Sequence, residues 1–149
     1  MKNKIWVILI MTLLTASYGY SQVKTSIEIK DNWYYLNGER FFIKALGYTI
    51  GARPGQRTDG SSADDMELMK FDLKVIKEGG YNAIRTWSPY SEEQLKLVQK
   101  SGLKLIMGVG IGNGNYGDPK FIRTCEEKVR KVMDYSKKYD CIITYLVLN

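Results

Sequence analysis

Arg85 is the one charge in the stretch Tyr81-Asn-Ala-Ile-Arg-Thr-Trp87. An unpaired guanidinium buried inside a fold is very costly, so its presence there implies a carboxylate nearby. A planar, permanently charged donor can hold such a carboxylate ionised and oriented, as a nucleophile requires. A structural ion pair at the rim of the fold fits the same residue. Trp87 and Tyr90 follow directly, and Tyr48 and Tyr116 stand at or beside other loop starts. Flat aromatic faces stack on the apolar faces of sugar rings and suit a carbohydrate cleft; equally, such rings pack the rim beneath loops. Asn149 follows Ile142 to Leu148, seven apolar or β-branched residues without a charge. Its carboxamide is a candidate ligand for a hydroxyl, or else an ordinary polar residue ending a strand.

Other chemistries are excluded. The chain has no histidine, which rules out a His-based metal site or a Ser-His-Asp triad within it. Neither a metal nor a cofactor is called for. Cys125 and Cys141 are the only cysteines. An exported protein permits a bridge between them, but their placement on a helix and at a strand start favours two buried thiols. Gly112-Asn-Gly-Asn-Tyr-Gly117 fits a dinucleotide fingerprint by spacing alone. Asp118 puts a carboxylate where a pyrophosphate would rest, and no acidic residue ends the following strand to hold a ribose. A flexible substrate loop is the better account.

The elements that must position these residues alternate. Residues 26 to 40 read as an N-terminal hairpin, with Asn37-Gly38 as its turn. A strand from Phe41 to Thr49 leads into a long Gly- and Arg-rich loop that includes Arg53. Ser62 and Asp65 have capping-box spacing, and Met66, Met69, Leu73 and Ile76 recur at helical intervals until Gly79-Gly80. Tyr81 to Trp87 is a strand, and Ser91 with Gln94 caps a helix through Leu95 and Val98 that ends at Gly102. Leu103 to Val109 is the next strand. Asp118-Pro119 starts a helix with Ile122, Val129 and Val132 on its inner face, and the Ile142 run closes the series. A strand-helix alternation of this kind gives an α/β fold with parallel strands. Because the final strand is so apolar, it reads as covered on both faces rather than as an outer edge. The expectation is a short hairpin followed by four strands and three helices, the first half of a (β/α)8 barrel whose second half is missing. Strand-end loops gather on one face of such a barrel and hold its active site.

The first residues are read apart from this domain. A basic start, the apolar Ile5 to Ala16 and the small residues of Gly19-Tyr-Ser21 form a signal peptide over 1–21, cleaved between Ser21 and Gln22. The alternative is a retained anchor, but a bilayer needs about 20 apolar residues and this stretch is shorter. Export to the periplasm or the medium follows, with no membrane attachment after cleavage. Loss of Lys2 and Lys4 lowers the formal charge from +6 to +4. The remaining basic residues alternate with acidic ones, so a nucleic-acid partner is not expected. The hairpin segment is then 22–40 and the half barrel 41–149.

Leu36-Asn-Gly-Glu-Arg-Phe-Phe-Ile-Lys44, Gly79-Gly-Tyr-Asn-Ala-Ile-Arg-Thr86 and Ile143-Thr-Tyr-Leu-Val-Leu-Asn149 together resemble retaining glycoside hydrolases of clan A. They look most like the barrel of glycoside hydrolase family 2 and the β-1,3-glucanosyltransferase-like enzymes. The resemblance implies a polysaccharide or oligosaccharide substrate and double displacement by two carboxylates about 5 Å apart. It implies that Arg85 supports the nucleophile and that Asn149 hydrogen-bonds the hydroxyl next to the scissile bond; Trp87 and Tyr48 stand beside them as substrate-binding or supporting residues on the strength of their aromatic faces alone. It places the acid/base Glu directly after Asn149 and the nucleophile on a seventh strand, so no catalytic carboxylate lies within the chain. The expected function is therefore that of an N-terminal fragment, inactive alone, of a secreted β-glycan hydrolase. A β-glucan transglycosylase, a non-catalytic carbohydrate-binding remnant, and two copies pairing their terminal strands stand beside it. One departure matters: many clan members carry a His after the third strand, where this chain has Gly108-Val-Gly-Ile-Gly112.

Overall fold

The computed structural model describes residues 24–51 and 63–147. The expected signal peptide, most of the Arg53 loop, the Ser62 cap and Asn149 lie outside the described residues.

The chain opens as a three-stranded antiparallel meander of β1 (Ile27–Lys30), β2 (Trp33–Leu36) and β3 (Glu39–Phe41). Asn37-Gly38 makes the expected tight turn, with φ values of 52° and 81°. The sequence reading lacked a second turn, Asp31-Asn32, where φ is 51° and 64°. Asn and Asp tolerate this left-handed conformation, which a two-residue hairpin turn needs at both central positions. The hairpin therefore gains a third strand. Phe41 ends the meander rather than starting the barrel.

Four short strands then form one parallel sheet: β4 (Ala45–Gly47), β5 (Ala83–Arg85), β6 (Lys104–Gly108) and β7 (Ile142–Leu146). Their spatial order is the chain order, β4-β5-β6-β7. A doubly wound sheet reverses direction at a switch point, and this one does not. Three helices connect the strands: α1 (Ala63–Glu78), α2 (Glu92–Ser101) and α3 (Pro119–Ser136). Helix α1 packs on α2 and α2 on α3. This is the first half of a (β/α)8 barrel.

The core lies between sheet and helices. Met69, Leu73 and Ile76 of α1, Leu95 and Val98 of α2, and Ile84, Leu105 and Met107 of the strands fill it. Burial of each such side chain contributes roughly 1.5–3 kcal/mol. Local signals set the helix ends. Ser91 and Gln94 form a reciprocal capping box, Asp118 caps α3 ahead of Pro119, and Gly102 ends α2 in the left-handed region at φ 77°.

Three expectations shift. Ile122 is 41% exposed, so the inner face of α3 rests on Val132 and the half-buried Val129. Along β7 only Ile142 and Ile143 are buried; Thr144, Tyr145 and Leu146 are half-buried. Among the described residues β7 has one neighbour, β6, so its remaining contacts come from a single side. Cys141 is buried as expected and its thiol is pushed up to about 11, chiefly by burial, while Cys125 is only half-buried; both are free.

Candidate functional site

Register decides which side chains face away from the helices. Leu46, Ile84 and Leu105 are partners across β4, β5 and β6, and they pack with the core. Because successive residues in a strand alternate sides, the next set points the other way. That set is Gly47, Arg85, Ile106 and Thr144, one residue from each strand in a single row. Arg85 thus reaches the face that a closed barrel would enclose, near the C-terminal ends of the strands. It is half-buried, which lowers the desolvation cost that a sealed interior would impose.

Trp87 follows two residues later. The Arg85 guanidinium lies over its indole, 4.9 Å from the ring centroid. Such an arrangement is worth about 0.5–1 kcal/mol at a partly exposed site. Trp87 as a whole residue remains 43% exposed. Between the two, Thr86 points into the fold, where it is 2% exposed and its Oγ1 accepts the Gly108 N–H at 3.1 Å. This bond ties the end of β5 to β6 and fixes the turn that carries Trp87.

The other aromatics have different duties. Tyr48 donates its backbone N–H to the Arg85 carbonyl at 2.9 Å, but its ring is buried toward α1, and its hydroxyl donates to Asp72 at 3.0 Å. The structure therefore brings Tyr48 to the site by its main chain, with the hydroxyl directed away. Tyr116 packs edge-on against Phe121 with centroids 5.3 Å apart, and donates to the Gly112 carbonyl at 3.0 Å. It closes its own loop. Tyr90 is buried, and burial raises its hydroxyl far above the ordinary tyrosine range.

A cleft of about 320 Å³ lies between Tyr48 to Ile50 after β4 and Thr86 to Tyr90 after β5, with Gln94 at its side. It adjoins Trp87 at the strand ends. A larger cleft, about 380 Å³, separates α1 from α2. Lys70 pairs with Glu67, Lys74 lies 3.8 Å from Glu78, and Lys77 donates to the Ser101 carbonyl at 2.6 Å. Those lysines are engaged within the helical layer, away from the strand ends, so the smaller cleft is the functional candidate.

The Gly112 to Gly117 loop runs into the N-terminus of α3. There the Asp118 carboxylate accepts the Lys120 N–H at 2.9 Å. The helix end is already capped by an anion, which leaves no seat for a pyrophosphate. Sequence reasoning overlooked Gly47, which leaves room for the indole, and Gly108, which leaves room for the main chain that carries it. Glycine inside a strand pattern was the available signal.

No protein-family model matches the chain, and no curated protein matches its sequence. Solved structures do. Bacteroides uniformis beta-glucuronidase 2, bound to a cyclophellitol-6-carboxylate aziridine, matches with a TM-score of 0.63 and 20% identity over 81% of this chain. Parabacteroides merdae beta-glucuronidase gives 0.63 and 17% over 81%, and the Ruminococcus gnavus enzyme 0.64 and 16% over 84%. The chain covers 14%, 15% and 22% of those three chains respectively. At such identities, what this chain shares with these glycoside hydrolases is the fold.

Proposed function

We propose that the chain supplies the opening half of the barrel of a secreted retaining glycoside hydrolase acting on β-linked glycans. In this reading residues 1–21 are removed on export, the segment that follows, through Phe41, carries the N-terminal meander, and the residues after it supply strands one to four of the catalytic domain. The observation that carries it is the pairing of Arg85 with Trp87, 4.9 Å apart on the face away from the helices. The guanidinium would orient a carboxylate nucleophile and the indole would receive a sugar face. The fold shared with beta-glucuronidases supports a glycosidic substrate. Asn149 takes the role of the carboxamide that binds the hydroxyl beside the scissile bond. The two carboxylates of double displacement come from outside these residues.

Two measurements on the 149-residue chain test the reading. Calorimetric titration with β-linked gluco-oligosaccharides is expected to show weak binding that Trp87→Ala reduces by about ten-fold, the loss of the stacking surface. Nitrophenyl β-glycosides and β-glucans are expected to show no turnover above buffer. Turnover by this chain, or the absence of any saccharide binding, contradicts the proposal.

A further inference from the structure

We propose that Gly47 and Gly108 are positioning residues that set Trp87 as the stacking platform for a pyranose ring, an inference that rests on the carbohydrate reading above. Neither glycine has the positive φ that Gly38, Gly80, Gly102, Gly110 and Gly112 adopt. Their backbone conformation would therefore admit a side chain. What forbids one is Trp87.

A Cβ at Gly47 would lie 2.7 Å from Cη2 of the indole and 3.5 Å from Cζ3. A Cβ at Gly108 would lie 2.5 Å from both the carbonyl carbon and the carbonyl oxygen of Trp87, and 2.6 Å from the Thr86 oxygen. At Gly110 the Trp87 oxygen would be 3.3 Å away. Around Gly38, Gly80 and Gly112, by contrast, nothing stands within 4 Å. Two strands flanking β5 have thus given up their side chains where one residue crosses them. Gly47 clears the ring and Gly108 clears the main chain that carries it. The result is an indole laid over the end of β4 beside Arg85, with part of its surface open. An apolar plate of that kind accepts the C–H face of a pyranose.

The two glycines make different demands. Alanine at 108 meets main-chain atoms, so the β5 end itself must move and stability suffers. Alanine at 47 meets the far edge of a ring, which can swing aside with the sheet intact. Gly47→Ala is therefore the informative variant. The probes are laminaritetraose and cellotetraose, and the readout is the Trp87 indole N–H resonance of the full chain, assigned with Trp87→Phe. In the unliganded state Gly47→Ala is expected to shift that resonance while the urea midpoint changes little. Its saccharide affinity is expected to fall about five-fold, in keeping with the loss of one stacking contact. A residue that acts through Trp87 adds nothing once the indole is gone, so Trp87→Ala and the Gly47→Ala/Trp87→Ala double variant should bind equally.

If the wild type binds and Gly47→Ala binds as well with an unmoved indole, the positioning role is overturned while the carbohydrate reading stands. A further loss in the double variant overturns it too, because the glycine then acts by another route. Binding of neither tetrasaccharide by the wild type overturns both.

Discussion

Asn82 and Arg85 sit three residues apart in one strand segment and serve opposite ends of it. The Asn82 carboxamide donates to the Phe42 carbonyl at 2.7 Å and accepts the Lys44 N–H at 2.8 Å. It thereby clasps the chain linking the meander to β4, at the end of β5 remote from Arg85. Asn82→Ala leaves a donor and an acceptor of the main chain without their protein partners. The site is partly open to water, so the expected cost is about 1–2 kcal/mol, read as a lowered urea midpoint with an unchanged slope. An unaltered midpoint would show that the clasp carries no stability. That Arg85 is the lone charge of its strand was legible in the sequence, whereas the side of the sheet it faces follows from the register of β4, β5 and β6. The division of labour within Asn82 to Thr86 was not legible. It depends on contacts some forty residues away, and a single sequence does not display those.

Helices α2 and α3 are joined at their ends by one carboxylate. Glu92, in the first turn of α2, pairs with Lys138 and accepts the Tyr139 hydroxyl at 2.9 Å, just beyond the end of α3. The hydrogen bonds from Lys138 and then from Tyr139 hold Glu92 below its ordinary 4.5. A carboxylate whose folded value is depressed stabilises the fold above its unfolded value, and that contribution disappears as pH falls through the folded one. Glu92→Gln is accordingly expected to lower the urea midpoint at neutral pH, with the gap from wild type closing as pH drops below about 4.5. An equal gap at pH 7 and pH 3 would assign the effect to packing. Helix limits were readable because they are local: Ser91 with Gln94, Asp118 with Pro119, and Gly102 each act within one turn. Strand limits ran long in the sequence. An apolar stretch such as Tyr81 to Trp87 continues past the point where Thr86 and Trp87 leave the ladder, and hydrophobicity does not record a ladder's end. The Asp31-Asn32 turn was missed for a related reason. Positive φ at Asp and Asn is permitted rather than required, so the dipeptide is a weaker signal than Asn37-Gly38.

At the scale of the molecule, one face of the parallel sheet is covered and the other is not. The helices seal Ile84, Leu105 and Met107, whereas Arg85, Ile106 and Thr144 stay half-buried on the opposite side. Among the described residues β4 pairs only with β5, and β7 only with β6, so each outer strand has one side that carries no ladder. Strand β7 ends on Leu146, half-buried, and Val147, 41% exposed, follows it directly. An apolar strand edge of this composition templates pairing with another chain, and a lysine at its end opposes that pairing by charge and desolvation. A polypeptide of these 149 residues is therefore expected to self-associate with rising concentration, as followed by light scattering. Val147→Lys should suppress the association, and Phe71→Lys, on the exposed surface of α1, should not. The comparison separates two sources of stickiness, since Phe71 is 61% exposed yet belongs to a helix whose backbone is already satisfied. If Phe71→Lys were the variant that dissolved the aggregates, the helical layer rather than the sheet edge would be the adhesive surface. The sheet would then have to be closed by something other than strand pairing.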